Sequence, residues 1–580
     1  MNNYINYFIH DISKIVDSLI KDSIIKNNFD KSIISVDYSS KSKQGDISSN
    51  IVMILNQFLL NKNFDLRNHL LNNIKKIHYI EDVKIAKIGF INITFKNDYL
   101  TELFSDVINN YSSYGQNNLG KKKKINIEFV SANPTGPIHI AHIRGAVFGD
   151  VLSNIYQKLD YEVTREYYVN DSGFQITILG NSLFKRYQEI LGEKINLSEI
   201  EYPGDYLIDI AKKLFNLDGD KWIKLEKNRK EYFQNFAIKE ILETIKNDLK
   251  KIDIIFDKFI HESTIIKKNK IEEIFKLLKQ KNLLYEGILP KPKGEEIENW
   301  EPRNQLLFKS TNFDDDNDRP FKKSNGEWTY FANDSAYHYD KIHRNYSNLI
   351  NIWGADHIGY IKRMKAIVEV MSNKKNFFDI QVCQIVRLLK NGKILKMSKR
   401  EGNFVTLNTI NNEVGKSALR YYMISTKNET PIDFNINKVI EKNKDNPVFY
   451  CQYAYARASS IINKARKIDK FKNFEVNKID FNNNYISEYE REIILKIISW
   501  PYVLIQSADS KQPHKITNYL EDLSSQFHSF WNRGKSNDNL RLIDIKNPKK
   551  TISKLLWIES MRVVLKNAFL IIGIEAHENM

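Results

Sequence analysis

At 580 residues and 42% hydrophobic content, the chain is long enough for three or four domains of about 150 residues each. Lys and Arg outnumber Asp and Glu 87 to 71, a formal charge of +16, which suits a polyanionic partner and equally fits a lysine-rich composition. Cys383 and Cys451 alone exclude a disulfide framework and a four-cysteine zinc site and point to a reducing cytoplasm; Asp11, Lys14 and Asp17 interrupt any signal-peptide core, and the absence of a run of about 18 apolar residues excludes a membrane span.

In chain order, Phe8, Ile12, Ile15 and Leu19 recur at helical spacing and 85–95 alternates like strands, so 1–110 reads as a small α+β domain. The polar stretch 111–124, ending in four lysines, reads as a linker with a solvated lead-in. From 120 to 408 strand and helix patterns alternate around a mostly helical, charged insertion at 181–287. This predicts an α/β domain with an open parallel sheet and ligands at the carboxyl ends of its strands. Within it, Ser324-Asn-Gly-Glu327 is a hairpin signal, and the acidic run 314–318 beside Arg319 and Pro320 reads as an exposed loop. Beyond 408 the strands stop, and 409–580 reads as a helical bundle. There Ser487 and Glu490 form a capping box ahead of an Ile-rich helix ending at Pro501, and a stripe from Ile516 to Trp531, closed by Gly534, places Trp531 in the core.

Two segments carry chemistry. A buried strand over 125–130, a turn at 134–137 and a helix over 141–155 put His139 and His142 on the first turn of a helix. Unpaired N–H groups and the positive end of the macrodipole make such a place a phosphate site. Half of a zinc site, or a purely structural pair, are the other readings. Far downstream, Lys393-Ile-Leu-Lys396-Met397-Ser398-Lys399-Arg400-Glu-Gly402 sets two lysines on a short glycine-containing loop, where point charges suit a migrating pyrophosphate. A solvated basic loop is the alternative.

Together these segments resemble the His-Ile-Gly-His and Lys-Met-Ser-Lys-Ser signatures of class I aminoacyl-tRNA synthetases. Ser131-Ala-Asn-Pro-Thr-Gly-Pro137, Tyr167-Tyr-Val-Asn-Asp-Ser-Gly-Phe-Gln175 and Asp445-Asn-Pro-Val-Phe-Tyr-Cys-Gln-Tyr-Ala-Tyr-Ala-Arg457 extend the likeness to arginyl-tRNA synthetases of the bacterial type. The resemblance runs from Gly45-Asp-Ile-Ser-Ser-Asn50 to Met580. It implies a Rossmann-like catalytic domain, an N-terminal α+β domain touching tRNA and a C-terminal all-α anticodon-binding domain.

The reaction so implied joins arginine to ATP as arginyl-adenylate, then moves the arginyl group to the 2′-hydroxyl of the terminal adenosine of arginine tRNA. ATP would come with Mg2+, no structural zinc is expected, and the chain would act as a cytoplasmic monomer. By resemblance, His139, His142, Lys396 and Lys399 are catalytic, and Gly354, Asp356, Met397 and Ser398 join them in binding ATP. Ala141 stands where the usual motif has glycine, and its methyl would press toward the adenine. A guanidinium, always charged and with five donors in one plane, needs carboxylates around it. Asp334 and Tyr330 match the family's guanidinium-reading pair, Glu128 is a second acid, and Ser131 and Asn133, with His142, complete the arginine site. Tyr450, Tyr453, Tyr455 and Arg457 are the expected tRNA contacts, since aromatics interleaved with arginine suit stacking on unpaired bases.

Overall fold

Residues near the N-terminus build the α+β unit that their alternation predicts. Helix Tyr4–Lys21 buries Phe8, Ile12, Val16 and Leu19. Strands β1 (Val36–Tyr38), β2 (Ile47–Ser49), β3 (Ile80–Ile85) and β4 (Ile91–Phe95) form an antiparallel sheet in the order β1-β2-β4-β3. Tyr4 meets Phe95 edge-on, with ring centroids 5.6 Å apart. The computed structural model describes residues 4–38, 45–86, 89–196, 200–289, 302–395, 405–474 and 486–580.

These first residues and the C-terminal helices pack into one compact unit, Met1–Asn117 with Glu441–Met580. Arg491 explains the union. Its guanidinium donates to Asp46, which is 2% exposed, and to the Phe95 carbonyl at 2.9 Å, so a bundle helix satisfies a carboxylate buried beside the sheet. Tyr114 donates to the Ile498 carbonyl at 3.3 Å and Asn567 to that of Tyr111 at 3.1 Å. The bundle surrounds helix Pro548–Ile572, apolar on nearly every face. Ser487 and Glu490 cap helix Glu488–Ile498 reciprocally, as expected. Helix His514–Ser536 instead runs through Gly534, and Trp531 is half-buried rather than core.

The second unit, Asn118–Ile440, contains β5 (Lys124–Glu128), β6 (Glu162–Val169), β7 (Lys258–His261), β8 (Leu284–Gly287), β9 (Gln305–Phe308), β10 (Arg319–Lys322), β11 (Asn348–Gly354), β12 (Phe378–Cys383), β13 (Val386–Lys390), β14 (Lys393–Ile394) and β15 (Ile432–Asn435). Five of them make a parallel sheet in the order β12-β11-β5-β6-β7. The order reverses beside β5, and ligands bind at the carboxyl ends of strands at such a switch point.

The insertion at 181–287 is mostly helical, as expected, and also carries β7, the sheet's edge strand, in the four residues Lys258–His261. One expectation about strands needs correction. Strands do not stop at 408, because β15 pairs in parallel with β13. The acidic run is a loop with Asp314, Asp316 and Asn317 exposed, as expected, and it is anchored at Asp315 and Asp318. Asp315 is 7% exposed and receives two bonds from Arg319 at 2.6 and 2.7 Å, while Asp318 accepts from Thr311 and Tyr285. The hairpin at 324–327 is present, closed by Lys323 N–H to the Glu327 carbonyl at 2.8 Å with Gly326 at φ +84°. Among the described residues, no helix is long and apolar enough to cross a membrane.

Candidate active site

Strand β5 buries Ile125 and Ile127 and ends on Glu128; the chain then turns into helix Ile140–Lys158. Val130 and Ser131 in that turn have φ of +66° and +38°, values costly for residues with a Cβ and frequent at functional sites. Gly149 lets the helix lie on the strand exit, since a Cβ there would fall 2.2 Å from the Phe129 ring. His139 is the N-cap and His142 stands one turn on, with ring centroids 3.9 Å apart. The His139 backbone N–H points at His142 Nδ1 at 3.5 Å.

Just after the lysine loop the chain returns to this helix: Thr406 bridges His139, and Leu407 N–H donates to the Ile138 carbonyl at 2.8 Å. Lys396, Met397, Ser398 and Lys399 lie outside the described residues. Next to β5, strand β11 ends at Gly354, followed by exposed Asp356, whose carboxylate is 3.4 Å from His357 Nε2. Ala141 is exposed too, so its methyl is open to whatever occupies the nucleotide side.

The opposite side belongs to helix Tyr330–Ile342, capped by the Thr329 hydroxyl. Tyr330 is 76% exposed. Asp334 lies one turn further in, and burial, with the charges of Glu262 and Glu128, pushes its carboxyl up to about 7. Glu262, 8% exposed, is also raised; burial leads, the Ser172 hydroxyl opposes it and the charge of Asp171 adds to it. Sequence reading missed Glu262. It follows β7 directly, inside the stretch read as helical insertion, and nothing in the spacing of acids marks it.

Glu128 is in a different state. Burial favours its neutral form, but Lys341, His338 and Ser131 outweigh that and hold it below the usual carboxylate range. Lys341, fully buried on the same helix as Asp334, ion-pairs with Glu128 and donates to Asn351 at 3.1 Å. Asn351 in turn meets His338 Nε2 at 3.2 Å, and His338 Nδ1 lies 2.9 Å from the Asp334 carbonyl. Burial and Lys341 lower His338 to about 4, so its ring is neutral and the network polar but settled. Glu128 therefore reaches the site already balanced, whereas Asp334 and Glu262 present desolvated acids. Ser131 donates to Glu128 at 3.0 Å and accepts from Tyr168 N–H at 3.1 Å, while Asn133 donates to Gln175 at 2.9 Å.

The expected tRNA residues divide. Tyr455 is 2% exposed, packed edge-on against Phe569 at 6.3 Å, and is core; helix Pro447–Arg466 turns it inward against helix Pro548–Ile572. Tyr450 is half-buried against His528, centroids 4.5 Å apart. Tyr453 and Arg457 line a cavity of about 670 Å³ together with Trp531, Lys464, Lys535 and Arg541. The Arg457 guanidinium lies 4.4 Å from the Tyr453 ring centroid and 5.2 Å from that of Trp531.

Residues 6–95 match the arginyl tRNA synthetase N terminal domain, 104–451 the class I tRNA synthetase (R) catalytic domain, and 451–580 the DALR anticodon binding domain. Arginine–tRNA ligases of Rickettsia bellii and Pelagibacter ubique are each 41% identical, with 100% of both chains covered. The crystal structure of a Campylobacter jejuni protein described as a putative arginyl tRNA synthetase shares 32% identity and a TM-score of 0.71 over 84% of this chain and all of that one. Thermus thermophilus arginyl-tRNA synthetase, at 17% identity and a TM-score of 0.76 over the whole of both chains, shares the fold. The chain belongs to the class I arginyl-tRNA synthetases.

Proposed function

We infer that this arginine–tRNA ligase reads the side chain of its amino acid with Asp334 and Glu262. The observation that carries this is the pair of desolvated carboxyls, both raised, beside a third acid already neutralised by Lys341. A cation that is always charged restores the ionised state of such acids, and a neutral or shorter side chain leaves them unsatisfied. Tyr330, four residues before Asp334 on the same helix, lies at the rim and contacts the same group. Ser131, Asn133 and Glu128 face the α-amino and α-carboxyl end.

ATP enters as its Mg2+ complex. His139, His142 and the first N–H groups of helix Ile140–Lys158 hold its phosphates, while Gly354 and Asp356, at the end of the neighbouring strand, lie on the adenosine side. The arginine carboxylate attacks the α-phosphate, the bond to the β-phosphate breaks, and pyrophosphate leaves with its charge held by the histidines and by Lys396, Ser398 and Lys399, with Met397 between them in sequence. No covalent nucleophile is needed, only positioning and electrostatics. The 2′-hydroxyl of the terminal adenosine then attacks the adenylate carbonyl and releases AMP.

Tyr453, Arg457 and Trp531 supply stacking surfaces for unpaired tRNA bases, with Tyr450 beside them, and Lys464, Lys535 and Arg541 answer the backbone phosphates. The buried cysteines suit a reducing cytoplasm, where the chain acts as a monomer. Asp334→Asn tests the amino-acid reading: it keeps the shape and removes the charge, so arginine use should fall by about 2–5 kcal/mol while the fold persists. Unchanged arginine kinetics in the folded variant would refute it.

A further inference from the structure

The turn that delivers His139 is strained where it begins, at Val130 and Ser131, and backbone of that kind persists only when its surroundings hold it. Two tyrosine hydroxyls reach its carbonyls. Tyr167, on β6 and fully buried, donates to Ala132 at 2.8 Å. Tyr206, the first residue of helix Tyr206–Asp218, donates to Thr135 at 2.6 Å. Ala132 and Thr135 are 7% and 6% exposed, so either carbonyl, deprived of its donor, would be left buried and poorly satisfied.

The Tyr206 ring is itself gripped. A Cβ on Gly204 would fall 2.4 Å from the ring, so that position admits the ring only because it is glycine, while Gly136 lies within van der Waals contact of the hydroxyl end. Arg186, nine-tenths buried, donates to the Pro203 carbonyl at 2.7 Å and fixes the approach to the helix. Burial raises both phenols well above their ordinary value, so both remain donors at every working pH. Tyr206 comes from the insertion, outside the central sheet, and no signature motif contains it.

We propose that Tyr206 is a positioning residue for adenylate formation: it ties the helical insertion to the 134–137 turn and thereby holds His139 where the phosphates need it, with Tyr167 as its counterpart from the sheet. This rests on the role of His139 given above. A histidine mispositioned by a fraction of an ångström still meets bound ATP but loses its grip on the charge that develops as pyrophosphate departs. The loss therefore falls on kcat rather than on KM for arginine.

Tyr206→Phe keeps the ring and removes only the donor. In arginine-dependent ATP–pyrophosphate exchange with tRNA present, kcat should fall about tenfold, the typical effect of one lost hydrogen bond to a buried group, with KM for arginine unchanged. A double-mutant cycle with His139→Ala separates positioning from general structure. If Tyr206 acts through His139, Tyr206→Phe should cost less than about twofold in the His139→Ala background. Equal losses in both backgrounds, or a wild-type rate for Tyr206→Phe alone, would overturn the proposal. Unchanged exchange by His139→Ala would overturn the role of His139 itself, and the proposal with it. Tyr167→Phe should repeat the pattern, and provides the same cycle if Tyr206→Phe does not fold.

Discussion

Asp334, on helix Tyr330–Ile342, feels the charge of Glu262 at the end of β7, and burial together with the charges of Glu262 and Glu128 raises its carboxyl to about 7. Charged and titratable groups face it from several elements: Glu262 after β7, Glu128 on β5 paired with Lys341, His338 on its own helix, and Tyr168 on β6.

Binding of arginine should accordingly weaken as pH falls through 7, approaching a tenfold rise in Kd per pH unit below that value, since the ionised acid is the binding form. Isothermal titration in two buffers of different ionisation enthalpy should show net proton release near pH 6.5. Binding without proton exchange, or a flat Kd from pH 6 to 8, would contradict the assignment. Asp334→Asn should remove the slope.

The same carboxyl has a consequence for stability. Its folded value of about 7 lies above the unfolded one near 3.9, so ionisation opposes the fold increasingly as pH rises from the unfolded value to the folded one and fully above it. Ligand-free Asp334→Asn should thus be more stable than wild type, by more at pH 8 than at pH 5. Urea midpoints at the two pH values measure this, and a loss of stability at pH 8 is the contrary result.

Lys341 and Glu128 make the opposite case. Lys341→Met strands a buried carboxylate and should cost about 3–5 kcal/mol. Adding Glu128→Gln should recover much of that loss, even if arginine use stays impaired. Chemical denaturation of the two single variants and the double variant reads the coupling; additive losses would show that the pair is not the buried unit described.

In the bundle, Arg457→Ala removes the cation between Tyr453 and Trp531 and should raise KM for tRNA by about 1–3 kcal/mol per lost stacking contact. Exchange at saturating tRNA should be nearly unaffected. A loss that persists at saturation would place Arg457 in folding rather than in RNA binding.

Much of this was legible in the chain, and the exceptions have physical causes. His139 and His142 announce themselves because strand, turn and helix signals are contiguous. Asp334 follows from guanidinium chemistry once the family is recognised. Glu262 escapes because it comes within electrostatic reach of Asp334 only when the four residues of β7 take the sheet edge, a pairing decided by distant residues of β6. Tyr455 proved core and Trp531 a cavity wall, the reverse of the expectation, because both lie on helices buried on more than one face, where periodicity cannot tell the two apart. The Arg491–Asp46 contact joins residues that no local pattern relates.

The most direct test of the account is the double-mutant cycle of Asp334→Asn and Glu262→Gln, read as kcat/KM for arginine in aminoacylation with arginine tRNA. Each folded single variant should lose about 2–5 kcal/mol, and the double variant should lose clearly less than the sum, because both acids serve one guanidinium. Unchanged kcat/KM in either single variant, or strict additivity, would contradict the claim that these two desolvated carboxyls together read the substrate.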